Sequence, residues 1–531
     1  MTNIQILDCT LRDGGYVNNW NFGKKVIKKI LSGVTEAGIN IVECGFLSEI
    51  EYDENKALYN NTSQIKSLLP GEGKSKYVAM IALGEKEIAF EKVQKCDGES
   101  IFGIRLTFHK HEIERAFQYA QNLMDKGYQV FVQPVGTCSY SDMELLELVE
   151  KVNKLNPYAF YIVDTLGTIT GSELMRLFQM VDNNLKTGIK IGFHSHNNLQ
   201  LSFANAQELI RLFTKREIII DASLFGMGRG AGNLCTELLA QYMNENVGTT
   251  YNVTSLLEIV DNHLMSIKEE NPWGYTIPYY IAAVNKCHPN YATFLINRQT
   301  IAVKDIEKII ASIPSEERAV FNKKQITELY NAYLTRQIDD SEAVKELHEV
   351  WKNKDILVLA PGKTLVDEKE KIEAYINKNK PYIISVNFCG SIYHEDMIFI
   401  SNMKRFENLD FVCDESFKEA VVITSNIDVP TPETVIRVNY ANYLNDDHMI
   451  SDNAGIMLCN LLKKCGVTKI ALAGFDGFSS EGARNYFDKE LINNVEADML
   501  EIKTQKIGEC LRRLKEDIEI SFITKSMYER M

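Results

Sequence analysis

The stretch Leu7-Asp8-Cys9-Thr10-Leu11-Arg12-Asp13-Gly14-Gly15-Tyr16 decides how this chain is read. The apolar run from Ile4 to Leu7 feeds straight into it, which reads as a buried strand ending in a loop. Its two glycines let backbone pass close to something small, and Arg12 and Asp13 stand side by side just past the strand. One suits an anion, the other a cation. Alone, an Arg-Asp-Gly turn is usually only a turn.

A second stretch, Phe193-His194-Ser195-His196-Asn197-Asn198, changes its meaning. The apolar run Ile189 to Phe193 ends there in two histidines at spacing two. On an extended chain that spacing puts both imidazoles on one side. Two histidines and a carboxylate on strand ends facing a common mouth make a three-ligand metal site with positions open for substrate.

Between and around these stretches, strand-like runs alternate with amphipathic helical segments. The runs are Ile4–Cys9, Ile41–Phe46, Tyr77–Leu83, Ile101–Phe108, Gln129–Val135, Ala159–Thr165, Lys190–His196 and Ile218–Leu224. Helical segments include Lys24–Ala37, Glu112–Lys126, Asp142–Leu155 and Leu199–Phe213. Eight such units in about 250 residues predict an α/β chain whose N-terminal part, 1–250, is a (β/α)8 TIM barrel. An open doubly wound sheet is the alternative. Barrel active sites lie at the C-terminal ends of the strands. Polar residues collect there: Arg12 and Asp13, Glu43, His109, Asp164, His194 and His196. A glycine-rich loop, Gly226 to Asn233, follows the eighth run, and its amides could cradle an anion ahead of the helix from about Cys235.

Residues 251–350 change to helical stretches, such as Ser255–Lys268, Val303–Ser312 and Lys323–Arg336. They predict a helical extension on the barrel, with Tyr275, Tyr279 and Tyr280 packed against it or one of them reaching the site. From 352 to 531 a Rossmann-like α/β domain is expected. Ile356 to Leu359 runs into the turn Ala360-Pro361-Gly362-Lys363-Thr364, and further runs follow at Tyr382–Asn387, Phe399–Ser401, Ala420–Ser425 and Lys469–Gly474.

With 531 residues, 45% of them hydrophobic, the chain is long enough for two or three cores. A net charge of -14 without a basic stripe argues against a nucleic-acid partner. The 11 cysteines form no Cys-x-x-Cys pair and read as small buried hydrophobes. No apolar run approaches the roughly 18 residues of a membrane span, and the start of the chain carries no apolar leader. A cytoplasmic protein without membrane partners is the expectation, with a homo-oligomer as its state.

Four ordered motifs carry a resemblance: Thr10-Leu11-Arg12-Asp13-Gly14, Val42-Glu43-Cys44-Gly45, His194-Ser195-His196-Asn197 and Gly228-Arg229-Gly230-Ala231-Gly232-Asn233. With them the N-terminal half resembles the metal-dependent aldolase and HMG-CoA lyase-like superfamily (DRE-TIM metallolyases), in its 4-hydroxy-2-oxovalerate aldolase branch. The resemblance implies that Asp13, His194 and His196 bind a divalent metal, with Asn233 as a fourth ligand. The metal would be Mn2+ or Mg2+, with Co2+ and Zn2+ compatible. It implies that Arg12 stabilises an enolate oxygen and that Glu43 lies near the metal's outer shell. The implied reaction cleaves or forms a 4-hydroxy-2-oxo acid through a pyruvate-type enolate, with a 2-oxo acid and an aldehyde as partners.

One departure stands out. Where the aldolases carry a histidine base, this chain has Tyr16, and a free tyrosine titrates near 10, about three units above neutrality. The base is Tyr16, His109 or a metal-bound hydroxide, and the sequence leaves the three open. The C-terminal region resembles, more faintly, a sialyltransferase-like nucleotide-binding domain. That likeness implies a nucleotide or nucleotide-sugar at Gly362, Lys363, Asn387 and Asp476, and a setting in surface-glycan sugar synthesis. An acyl-CoA/2-oxo acid condensing synthase and a nucleotide-sugar transferase are the alternative activities.

Overall fold

The computed structural model describes residues 4–530 apart from 72, 213, 299–300, 319, 336–337, 390–391, 411–419, 431, 433–434, 448, 480–484 and 489–496. Phe213 and Arg336, the expected ends of two helices, lie outside the described residues. The chain divides into two compact units, Met1–Asn290 and Tyr291–Met531. The division falls within the stretch 251–350 expected as one helical extension, so its helices are shared between the units.

In the first unit eight parallel strands close on themselves. They are β1 (Ile4–Asp8), β2 (Ile41–Leu47), β3 (Lys76–Ala82), β4 (Gly103–Phe108), β5 (Gln129–Pro134), β6 (Ala159–Asp164), β7 (Lys190–Ser195) and β8 (Ile218–Ala222). Each pairs with its neighbour, and β1 pairs with both β8 and β2, through Ile4↔Ile218 and Leu7↔Ile41. This is a TIM barrel. The strands are near-continuous apolar runs because helices cover them outside and side chains fill them inside; every residue of β2, β6 and β8 is buried.

The helices show the complementary pattern. In Lys24–Glu36, Ile27, Ile30, Leu31 and Val34 recur at helical spacing and are buried. Asp142–Leu155 starts at a capping box, with Ser141 accepting from the Glu144 amide and Glu144 accepting from the Ser141 amide. Beyond the barrel, Leu256, Ile259, Val260, Leu264 and Trp273 join its core. Tyr275 and Tyr280 do not: they are 56% and 42% exposed.

The second unit carries a seven-stranded parallel sheet. Its strands are β9 (Ile356–Leu359), β10 (Tyr382–Val386), β11 (Met397–Ile400), β12 (Ala420–Thr424), β13 (Val435–Val438), β14 (Lys469–Ala473) and β15 (Glu519–Phe522). The order is β13-β12-β11-β10-β9-β14-β15, so the winding reverses between β9 and β14. Strands β13 and β15, which the sequence reading omitted, form the two edges. They are less buried than the centre and carry Arg437 or Glu519 and Ser521, which breaks the apolar run. Among the described residues no helix is long and apolar enough to cross a membrane.

Candidate metal centre

Strand β1 does not open into a loop. Its carboxylate Asp8 accepts from the Thr10 amide (3.1 Å) and hydroxyl (3.0 Å) and from the Thr236 hydroxyl (2.7 Å). These bonds start a helical turn, Thr10–Asp13, whose last amide donates to the Cys9 carbonyl at 2.8 Å. Arg12 and Asp13 therefore sit on one rigid turn over the barrel mouth. Burial pushes the Asp8 carboxyl up to about 6 despite its hydroxyl partners.

Across the mouth, β7 delivers His194, and His196 follows one residue past its end. The glycine-rich loop folds back so that Asn233 bridges to His196. Asp13, His194 and His196 then offer ligand atoms that all lie within 4.8 Å of one another. The three are 2%, 6% and 8% exposed, so they meet largely shielded from solvent.

Two observations test whether this set fits a cation. His194 Nδ1 lies 3.0 Å from Asp221 Oδ2; with the carboxylate accepting, Nδ1 carries the proton and the Nε2 lone pair is left for a metal. His196 Nδ1 and Asn233 Oδ1 are buried and lack a hydrogen-bond partner. Orphaned buried acceptors of this kind call for a positive charge. Burial raises the Asp13 carboxyl, but Arg12, His196 and His194 outweigh it and hold it well below the usual carboxylate range. Burial brings His196 down to about 4, so it stays a neutral imidazole. A carboxylate and two imidazoles suit a divalent ion. Asn233 stands beside them, its amide donating to Asp13 Oδ2 at 2.5 Å.

Behind the triad runs a buried chain of alternating charge. Arg12 donates from Nη1 to Asp13 Oδ1 (2.5 Å) and from Nε to Glu43 Oε2 (2.9 Å). The same Glu43 oxygen accepts from Arg105 Nη1 at 2.6 Å. Arg105 Nη2 bonds Asp221 Oδ2, which also holds His194, and Tyr161 donates to Asp221 Oδ1 at 3.1 Å. Arg105, Glu43 and Asp221 are each no more than 2% exposed, so none of this charge is shared with water. Asp221 was not singled out from the sequence. A lone acid inside Ile218-Ile219-Ile220-Asp221-Ala222 was the available signal.

Residues 3–262 match the model of the HMGL-like family. The barrel belongs to the HMGL-like family. Among curated relatives, the 4-hydroxy-2-oxovalerate aldolase of Thermomicrobium roseum is 26% identical over 57% of this chain and 83% of its own. The aldolase of that name from Bacillus thuringiensis is 24% identical over 56% and 86%, respectively. The oxaloacetate decarboxylase of Mycobacterium tuberculosis is 25% identical over 44% and 68%. The protein is a metal-dependent carbon–carbon lyase.

The glycine-rich loop of the HMGL-like barrel turns its amides inward rather than toward an anion. Ala231 donates to Asn198 Oδ1 (2.9 Å), Gly232 to the Arg229 carbonyl (3.1 Å) and Asn233 to the Gly226 carbonyl (3.0 Å). Gly228 packs directly on Asp13 and Asn233: a Cβ there would stand 2.7 Å from Asp13 Oδ2 and 2.3 Å from Asn233 Nδ2. Asp164 likewise closes its own loop, accepting from the Thr168 and Ile169 amides at 2.9 and 3.0 Å.

Tyr16 lines a cavity of about 670 Å³ beside the triad, with Glu85, Gly228, Arg229, Trp273 and Tyr279. Burial and the Glu85 charge push its phenol up to about 12, which removes it as a base at neutral pH and keeps it a proton donor. His109 Nε2 stands 3.7 Å from Glu85 Oε1, and the Glu85 carboxylate raises its pKa. The structure does not bring it to the ligand set.

Three of the four second-unit candidates, Gly362, Lys363 and Asp476, gather where the sheet order reverses. Asp476, after β14, accepts from the Thr364 amide (2.8 Å), the Thr364 hydroxyl and the Lys363 amide. A carboxylate of the chain thus holds the amides expected to meet a phosphate. Gly362 is required there, since a Cβ would fall 2.2 Å from the Gly474 carbonyl oxygen. Asn387 is in the left-handed region (φ 60°) and accepts from the Ser401 amide at 3.0 Å, tying β10 to β11. Lys363 is exposed.

Proposed function

We propose that this protein is an aldolase that forms and cleaves 4-hydroxy-2-oxo acids through the enolate of pyruvate. The observation that carries this reading is the placement of Arg12. Its Nη1 and Nε are committed to Asp13 and Glu43, so a fixed positive charge stands directly beside the Asp13, His194 and His196 set. Its Nη2 has no partner among the described residues and is available to a substrate oxygen. Preorganised charge of this kind stabilises an oxyanion without reorganisation during the reaction.

Asp13, His194 and His196 would hold the metal, Mn2+ or Mg2+ by the reading above, with Asn233 adjacent. When bound, the ion supplies Lewis-acid charge to the 2-oxo acid at the carbon–carbon cleavage step. Arg12 donates to the enolate oxygen. Tyr16 holds its phenolic proton at the cavity edge, where it donates to the oxygen of the incoming aldehyde. The cavity beyond Tyr16 provides the space that the aldehyde half of a 4-hydroxy-2-oxo acid needs. The names of the aldolase relatives agree with this reading.

The test is pyruvate release from a panel of 4-hydroxy-2-oxo acids, with oxaloacetate alongside, in metal-loaded and chelated protein. Metal-dependent cleavage of the hydroxy-oxo acids, lost in His194→Ala together with bound metal, is the expected outcome. Turnover of oxaloacetate alone would replace the aldolase reading with a decarboxylase.

A further inference from the structure

Arg229 lies on the loop between β8 and the next helix, at residues 226–233, and lines the cavity beside the metal ligands. Gly228, one residue earlier, packs on Asp13 and Asn233, so the same loop touches both the ligand set and the cavity wall. The guanidinium is half-buried, and its carbon lies 5.7 Å from the centre of the Tyr16 ring. Its one hydrogen-bond partner among the described residues is His288 Nε2. Burial and the Arg229 charge bring His288 down to about 4, so that partner is neutral at pH 7 and supplies no counter-charge.

The other charges around it do not close the balance. Glu85 lines the cavity and its carboxylate is shared among Arg229, Lys86 and His109, so it offsets only part of their charge, and no described carboxylate comes within 4 Å of Arg229. Glu270 stands exposed at the rim. Lys86 adds a second positive charge, its Nζ 5.3 Å from the same Tyr16 ring. A half-buried guanidinium with no carboxylate in contact is incompletely paired, and its planar fork matches a carboxylate or a phosphate. The cavity, at about 670 Å³, is also far larger than a two-carbon aldehyde.

We infer that Arg229 binds an anionic group at the far end of the aldehyde substrate, so that the acceptor is an aldehyde bearing a carboxylate or a phosphate. The inference rests on the aldolase reading above. In that arrangement the reacting carbonyl lies at Tyr16 and the anionic tail reaches the guanidinium one residue beyond Gly228. The specificity is then a property of the distal pocket, separate from the pyruvate half-reaction at Arg12 and the metal.

The experiment measures kcat/KM for condensation of pyruvate with three matched aldehydes: a four-carbon aldehyde ending in a carboxylate, a short aldehyde phosphate and a neutral four-carbon aldehyde. Exchange of the pyruvate methyl protons in deuterated water is followed in the same metal-loaded wild-type protein. The expected result is a preference of at least about 30-fold for one anionic aldehyde over the neutral one, as for a hydrogen bond to a charged group. Which of the two wins identifies the anion. In Arg229→Ala the preference should fall to within about threefold, with Arg229→Lys between the two. Wild-type protein that exchanges pyruvate protons but shows no preference would overturn the inference while leaving the aldolase reading intact. A preference that survives in Arg229→Ala would overturn the assignment to Arg229. Neither exchange nor condensation would remove the aldolase reading and this inference with it.

Discussion

Arg105 Nη1 donates to Glu43 Oε2 at 2.6 Å, at the centre of the barrel, where neither side chain reaches water. Through Glu43 this contact fixes Arg12, and through the other end of its guanidinium Arg105 fixes Asp221 and so His194. One side chain thereby orients both the arginine that would meet the enolate and a histidine that would bind the metal. Breaking a buried, hydrogen-bonded charge network by removing one member leaves the other charges uncompensated.

Arg105→Met should therefore do two things at once. Stability should fall by about 3–5 kcal/mol, read as a lower denaturation midpoint. Metal affinity should fall by roughly 10- to 100-fold, as when a group supporting a metal ligand is lost. A variant with unchanged metal affinity in a competition titration would show that Asp221 holds His194 without help from Arg105.

Arg12→Lys keeps a positive charge but gives up the planar fork that reaches Asp13, Glu43 and the substrate together. Bound metal should remain stoichiometric while kcat falls by about 10²-fold or more, the size expected for one oxyanion contact. Loss of the metal in this variant would instead make Arg12 a structural support for Asp13.

The barrel was legible because parallel strands covered on both faces are written as continuous apolar runs, and all eight could be marked from Ile4 to Leu224. The cluster was legible for a similar reason: Asp13, His194 and His196 are chemistry-bearing residues at or just past strand ends. Asp221 and the full role of Arg105 were not, because both lie inside apolar runs and acquire meaning only when β4 and β8 face each other across the barrel. Edge strands β13 and β15 escaped because half-exposed strands carry polar residues. The β9 turn misled in the opposite direction: its amides resemble a phosphate cradle until Asp476, more than 100 residues away, is seen to fill it.

Tyr16→Phe separates a donor from a base. Burial and Glu85 raise the phenol to about 12, so it is protonated throughout pH 6–9 and loses its proton only far above that range. Removing it should lower kcat by roughly 10- to 100-fold, while the shape of the pH profile between 6 and 9 stays that of the wild type. Disappearance of an ionisation from that window would identify Tyr16 as the base.

Gly228→Ala tests the close packing over the ligands. The added methyl would meet Asp13 Oδ2 at 2.7 Å and Asn233 Nδ2 at 2.3 Å, both buried and already engaged with each other. The barrel should fold, since the change is confined to a loop, but metal affinity should fall by roughly tenfold or more. Wild-type affinity would mean that the loop yields readily and does not brace Asp13.

The central claim is that Asp13, His194, His196 and Arg12 together stabilise the enolate of pyruvate. Exchange of the pyruvate methyl protons with deuterated water, followed by proton NMR without any aldehyde, tests this most directly. Exchange should be fast in metal-loaded protein, stop on chelation, return with Mn2+ or Mg2+, and be absent in His194→Ala. Wild-type protein that binds one divalent ion per chain yet leaves the methyl protons in place would contradict it.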